Sequence, residues 1–187
     1  MTREATQRRR QAVETVHDVV SAMRAIAAGR IQSAQRALES ARRYDDVVLR
    51  ALAAVLSESA AIQPSAGRSP TTLLVMSSEQ PLCGSFNPDV LDLAERRWHE
   101  LLQEGSVHLL VVGQRGMHQL LAYGVPLDGA EPAATSLDGL HDLVNRLAKL
   151  LGKRYTTGEL GILRVIYSRY QSISEQVPTE VRILPPE

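Results

Sequence analysis

Residues 13–55 read VETVHDVVSAMRAIAAGRIQSAQRALESARRYDDVVLRALAAV, and their apolar rhythm decides the architecture. Val13, Val16, Val20, Met23, Ala27, Ile31, Ala34, Leu38, Ala41, Tyr44, Val48, Leu52 and Val55 step by three or four residues each time. The twelve intervals span 42 residues, a mean of 3.5, which is the coiled-coil period rather than the 3.6 of a straight surface helix. The first 63 residues hold no proline and a single glycine, Gly29, so nothing interrupts the pattern. At 1.5 Å per residue, about 55 helical residues make a rod of roughly 80 Å. A compact unit of this chain length is far shorter, so the rod must project and find a partner.

Charge follows the same division. Residues 1–62 carry ten arginines and seven acids, against eleven basic and fourteen acidic side chains in residues 63–187, so the arm is net +3 and the rest −3. A mildly basic arm favours an acidic partner surface. Nucleic acid is the rival partner, but Glu14, Asp18, Glu39, Asp45 and Asp46 lie among the arginines, the pattern of a solvated helix face. Cys83 is the only cysteine, which excludes an intrachain disulfide and suits a reducing compartment. No run approaches the roughly 18 apolar residues that span a bilayer. The arginines at 8–10 precede an amphipathic segment, so no signal peptide is read there.

Residues 63–70, QPSAGRSP, read as a linker, which leaves 1–62 as the helical arm and 71–187 as a second domain. In that domain Leu73–Met76 is a short buried strand, and Asn87-Pro88-Asp89 starts a helix with Asn87 as its N-cap and proline at the first position. The helix closes near Gly105. Val107–Val112 is a second buried strand ended by Gly113, and a short helix over Met117–Ala122 stops at Gly124. A loop over 126–134 leads to a helix from Ser136 through Leu151, then to strands over Gly161–Tyr167 and Thr179–Leu184. Strands alternating with helices predict a small Rossmann-like α/β domain with a largely parallel sheet.

Such a sheet invites a nucleotide, but the loop after the first strand, SSEQPLCGSFN over 77–87, argues against one. It has one glycine, no lysine and an acid, where dinucleotide and P-loop motifs need several glycines or a Lys-Ser/Thr pair to cradle phosphate. The turn Gly113-Gln114-Arg115-Gly116 is no closer. Ser85 lacks the second glycine of a nucleophile elbow, and no histidine near Cys83 in sequence could activate it. Cys83 reads instead as a small packed residue at the strand–helix turn. His17, His99, His108, His118 and His141 are scattered without metal-site spacing. Neither catalytic residues, a metal site nor a cofactor is assigned. Phe86 is the only phenylalanine, and Trp98, the only tryptophan, is read as packing its helix onto the sheet. The cluster Tyr167-Ser168-Arg169-Tyr170 is a candidate contact surface.

Three segments together resemble one family. Val19–Arg30, VVSAMRAIAAGR, is similar to the ITKAM-x-MVAASK stretch of rotary ATP synthase gamma subunits. Ser77–Asn87 is similar to that family's TSDRGLCGGFN segment and matches it at Leu82, Cys83, Gly84, Phe86 and Asn87. Tyr167–Tyr170, then Gln176–Thr179 and Ile183–Pro185, resemble its YNKF, Q-x-PT and LLP run. Gly29-Arg30 in place of Ser-Lys, and Glu79-Gln80-Pro81 in place of Asp-Arg/Lys-Gly, mark a divergent or alternate-type member.

The resemblance implies a non-catalytic rotor. In the family this subunit is a shaft inside a ring of alpha and beta subunits, with its base on the membrane-embedded c-ring. It implies contacts to the acidic lever of the beta subunits at Met23, Arg24 and the Leu82–Phe86 loop (Leu82, Cys83, Gly84, Phe86), a partner contact at Arg30, and contacts to the epsilon subunit or c-ring at Tyr167, Arg169 and Tyr170. It implies no nucleic acid, no direct nucleotide binding, and a peripheral place on the cytoplasmic face of a bacterial or archaeal membrane. Family members continue past LLP into a C-terminal helix that completes the shaft. This sequence ends at Glu187, so it is read as lacking that helix and as prone to self-association through the arm. The alternative is a coiled-coil interaction or adaptor protein with an α/β domain and no rotary role.

Overall fold

The computed structural model describes residues 3–58, 69–81, 83–172 and 175–185. Leu82, the Val55 side chain, most of the expected linker (63–68) and Glu187 lie outside the described residues. The chain divides into two compact units, Met1–Ile62 and Gln63–Glu187.

The described residues of the first unit form one helix, α1, Arg3–Glu58, 56 residues long. Its stripe residues from Val13 to Leu52 include Val16, Met23, Tyr44 and Val48, all exposed. Val19, Ile26 and Val47 are exposed as well, so the apolar band is wider than a strict heptad seam.

The second unit is a five-stranded sheet of order β3-β2-β1-β4-β5. The strands are β1 (Thr71–Met76), β2 (Val107–Val112), β3 (Gly129–Glu131), β4 (Ile162–Tyr170) and β5 (Gln176–Leu184). Between them run α2 (Phe86–Glu104), α3 (Gln114–Ala122) and α4 (Leu137–Thr156). β1 is the middle strand, and both its neighbours are parallel: Leu73 pairs with Leu109 on β2 and with Arg164 on β4. A central parallel strand is covered on both faces, which is why TTLLVM is a continuous buried run. Leu73, Val75, Leu109, Val111 and Ile166 meet Val90, Leu91, Ala94 and Leu120 of α2 and α3, with Trp98 packed at the edge as expected. On the opposite face Leu74, Leu110, Val112 and Leu163 pack with Leu143 and Leu147 of α4. β5 closes the sheet antiparallel to β4, with a bulge between Leu163 and Arg164.

Several local expectations are corrected. Asn87 does not cap α2, which begins two residues earlier than expected, at Phe86 after Ser85, and Ser85 makes no side-chain cap. The Asn87 amide is drawn back to Ser78 instead, as described below. The helix expected to run through Leu151 continues to Thr156; Gly158, at φ 78°, lies just beyond the end. The loop over 126–134 contains β3, paired parallel with Leu110–Val112. The last two strands start or end several residues beyond the expected bounds. Ser136 caps α4 as read, its Oγ accepting from Gly139 N at 3.1 Å.

Candidate functional site

Because β1, β2 and β3 run parallel, the loops that follow them gather at one edge of the sheet. In open α/β folds that edge is where ligands bind, at helix N-termini whose N–H groups are unpaired. Here the edge is filled from within. Ser77 Oγ donates to Val112 O at 2.7 Å and accepts from Gly116 N at 3.1 Å. Ser78 N donates to Asn87 Oδ1 at 2.9 Å, and Asn87 Nδ2 donates to Ser78 Oγ at 2.8 Å. Glu79 Oε2 accepts from Gln114 N at 3.2 Å, at the start of α3, and from Ala133 N at 2.9 Å, beyond β3. The carboxylate therefore sits where an anion would cap α3 and joins the loops after all three strands. Glu79 is more than an acid hostile to phosphate: it is the resident anion of this edge.

Two glycines permit the closeness. Gly113 has φ 100°, and a Cβ on it would lie 2.5 Å from Ser77 O. A Cβ on Gly116 would overlap the Ser77 hydroxyl and Cβ.

Outside this lock an open groove of about 440 Å³ lies between the β1–α2 loop and α3. Cys83, Gly84, Asn87, Arg115, His118 and Gln119 line it. Cys83 is exposed, not packed, which corrects the sequence reading. The turn lifts it outward: Gly84 takes φ 56°, and the thiol donates to the Gln80 carbonyl, at 3.3 Å, and more weakly to that of Pro81. Phe86 follows as the half-buried first residue of α2. Arg115 and His118 were not singled out as site residues by sequence, because only the fold brings α3 beside the loop.

The remaining candidates fall elsewhere. Met23, Arg24 and Arg30 are exposed on α1; the seven-residue spacing puts Met23 and Arg30 on one side, two turns apart, with Arg24 rotated about 100° away. In β4, strand alternation puts Tyr167 and Arg169 on one face, opposite Thr179 and Val177 of β5, and Tyr170 on the other. The Tyr167–Tyr170 cluster thus does not form a single patch. On the face of Ile166 and Glu180, Arg97 of α2 and Arg164 of β4 both converge on the Glu180 carboxylate. Arg97 Nε lies at 2.5 Å and Arg164 Nη1 at 2.7 Å. Arg97 also pairs with Glu100. Burial alone would push the Glu180 carboxyl up, but hydrogen bonds from the two guanidiniums outweigh it and hold the carboxyl below its ordinary range. Among the described residues no group of three or more His, Cys, Asp or Glu side chains could hold a metal ion.

Fold and site together define a protein with a long helical arm and an α/β unit whose ligand edge is closed by its own side chains. A family model described as ATP synthase matches residues 2–187, and the chain belongs to that family. It is similar to the ATP synthase gamma chain of Dinoroseobacter shibae, 31% identical over 188 residues that cover 94% of this chain and 63% of that one. The ATP synthase gamma chain of Fuscovulum blasticum is also 31% identical, over 92% of this chain and 63% of its own length. The chain thus spans 63% of the length of these curated relatives. Among solved structures, the central stalk and c-ring of the Tetrahymena thermophila mitochondrial ATP synthase matches with a TM-score of 0.49 and 22% identity, over 63% of this chain and 50% of that one.

Proposed function

We propose that this chain serves as the gamma-type rotor subunit of a rotary ATP synthase and performs no bond chemistry itself. The observation that carries the reading is α1, 56 residues of helix with an exposed apolar stripe, in a chain whose curated relatives are gamma chains. A stiff helix transmits torque; an α/β unit with an internally closed edge serves as a scaffold rather than a nucleotide site.

In this reading α1 runs inside a ring of alpha and beta subunits, and the sheet domain meets the c-ring and an epsilon subunit. Contacts that form and break during rotation favour exposed, screened charges over a dry interface. Arg24 and Arg30 on α1, and the loop carrying Leu82, Cys83, Gly84 and Phe86, then face acidic segments of the beta subunits, with Met23 among them. Tyr167, Arg169 and Tyr170 serve the epsilon subunit or c-ring. The domain boundaries follow the same division, with 1–62 as shaft, 63–70 as linker and 71–187 as base. No helix among the described residues is long and apolar enough to cross a membrane, which is compatible with a peripheral place on its cytoplasmic face.

Co-expression with the ATP synthase alpha and beta subunits of the same organism tests the reading. The chain is expected to co-elute with the ring and to alter its ATP hydrolysis. Failure to co-elute would overturn the rotor assignment and favour the adaptor alternative.

A further inference from the structure

We propose that the hollow between α4 and the β2–β3 edge of the sheet binds a small carboxylate carrying a short alkyl chain, with Arg154 as the residue that selects the anion. The proposal is independent of the rotor reading, because its residues belong to the α/β unit and none of them is used there. The hollow follows from the composition of β3. Gly129 and Ala130 bring almost no side chain to this end of the sheet, and α4 is the helix that packs on this face. About 230 Å³ is left open between Leu74 and Leu110 of the sheet and Leu147 and Leu150 of α4. A Cβ on Gly129 would already press on Leu110 Cδ2, at 3.0 Å, so the glycine keeps the space clear. Packed interiors seldom leave apolar room of this size unfilled.

The charged rim decides the ligand. It carries Asp128, Glu131 and Arg154. Both Asp128 oxygens are engaged: Oδ1 lies 2.7 Å from His108 Nδ1, and Oδ2 accepts from Leu109 N at 2.7 Å. Burial pushes the Asp128 carboxyl up, but those hydrogen bonds, helped by the nearby Arg154 charge, hold it below its ordinary range. Glu131 Oε2 accepts from Arg146 Nε at 3.0 Å. Arg154 is half-buried, and among the described residues its guanidinium makes no hydrogen bond or close ion pair. Its donors therefore stand unspent at the mouth of a leucine-lined space. A carboxylate meets such a fork with two parallel hydrogen bonds, and its alkyl chain fills the room behind. The two acids on the rim disfavour a dianion such as phosphate, and the leucines disfavour an ion without an apolar part. The volume is below the roughly 300 Å³ at which drug-sized sites begin, so the chain is short.

Saturation-transfer NMR on the full chain tests this, with hexanoate as the probe and hexanol as its neutral counterpart. Hexanoate is expected to bind in the millimolar range. In Arg154→Gln its dissociation constant should rise about fivefold, the loss expected from one partly exposed charge-assisted contact, while that of hexanol stays the same. Arg154 holds no other side chain in place, so this variant is expected to keep the wild-type urea midpoint. α1 offers apolar surface to both probes alike, so the difference between wild type and variant is what reads the site. Gly129→Val, which fills the hollow, should weaken hexanoate and hexanol together. No transfer to hexanoate in the millimolar range, or equal hexanoate affinity in wild type and Arg154→Gln, overturns the proposal. Undiminished hexanoate binding in Gly129→Val overturns it as well, since the alkyl chain would then lie elsewhere. The rotor reading stands or falls separately, on co-elution with the alpha/beta ring.

Discussion

At the scale of single residues, the α/β unit is held at one corner by charge. Glu180 is 16% exposed, and its partners Arg97 and Arg164 are 24% and 25% exposed, so the three groups are largely removed from water. Charge-assisted hydrogen bonds in such settings contribute more than surface pairs, and replacing the carboxylate by an amide removes its charge and turns one of the two acceptor oxygens into a donor facing a guanidinium. Glu180→Gln is therefore expected to cost about 2 kcal/mol at pH 7, measured by urea unfolding of the wild-type and variant chains. The pH dependence has a definite sign. The folded carboxyl titrates below the ordinary value of 4.5, so its stabilisation is complete above that value and is lost as pH falls through the lower, folded one. The gap between wild type and Glu180→Gln should thus narrow only in acid; a gap constant from pH 7 down to pH 3 would show that packing, not charge, is at work. Little of this corner was legible in the sequence. Arg97, Arg164 and Glu180 sit on three elements, and no local pattern joins them. Asn87 shows the converse: Asn-Pro-Asp reads locally as a cap, yet Ser78, nine residues earlier, takes its side chain.

Among the elements, those whose cause is local were readable and those whose cause is a neighbour were not. α1 follows from a 3.5-residue rhythm, and β1 and β2 from continuous apolar runs. β3 is only Gly129-Ala130-Glu131, with no β-branched or aromatic residue, and is a strand solely because Leu110–Val112 lies alongside. The contact of α3 with the β1–α2 loop is equally non-local, and its signature is two glycines separated by two residues. Gly116→Ala should push α3 off Ser77, because the new Cβ would overlap a buried side chain that itself bonds Val112 O and Gly116 N. Overpacking of this kind costs about 1–3 kcal/mol, visible as a lower urea midpoint with an unchanged slope. An unshifted midpoint would mean that the turn can open freely. The same closure explains why this sheet should take no nucleotide: the α3 N-terminus is already occupied by Glu79. Calorimetric titration of the chain with ATP, ADP or NAD is expected to give no micromolar binding, and such binding would show that Glu79 yields its place.

For the whole molecule, the decisive imbalance is between the two units. The α/β unit packs one buried apolar cluster on each side of its sheet. α1 leaves Val13 69%, Met23 63% and Tyr44 73% exposed, along a band that runs most of its length. Helices draw most of their stability from packing of an apolar face, because nucleation is costly and propensity is weak. An apolar surface beyond a few hundred Å² also finds a partner or aggregates. In the rotor reading proposed above, other subunits would cover this band. The purified 187-residue chain should therefore either self-associate through α1, as an antiparallel pair that buries the 3.5-residue seam, or fray along α1 while the α/β unit stays folded. Light scattering across a concentration series separates these outcomes from a simple monomer, and hydrogen exchange shows which unit is protected. Association would be accompanied by slowed exchange centred on Val16–Val48 and unchanged exchange in β1 and β2. Val20→Lys, which places a charge on the seam but not in the α/β unit, should weaken the pair without altering the unfolding midpoint of the sheet. A strictly monomeric chain with α1 strongly protected would sink the idea, since the band would then have found its cover within one molecule.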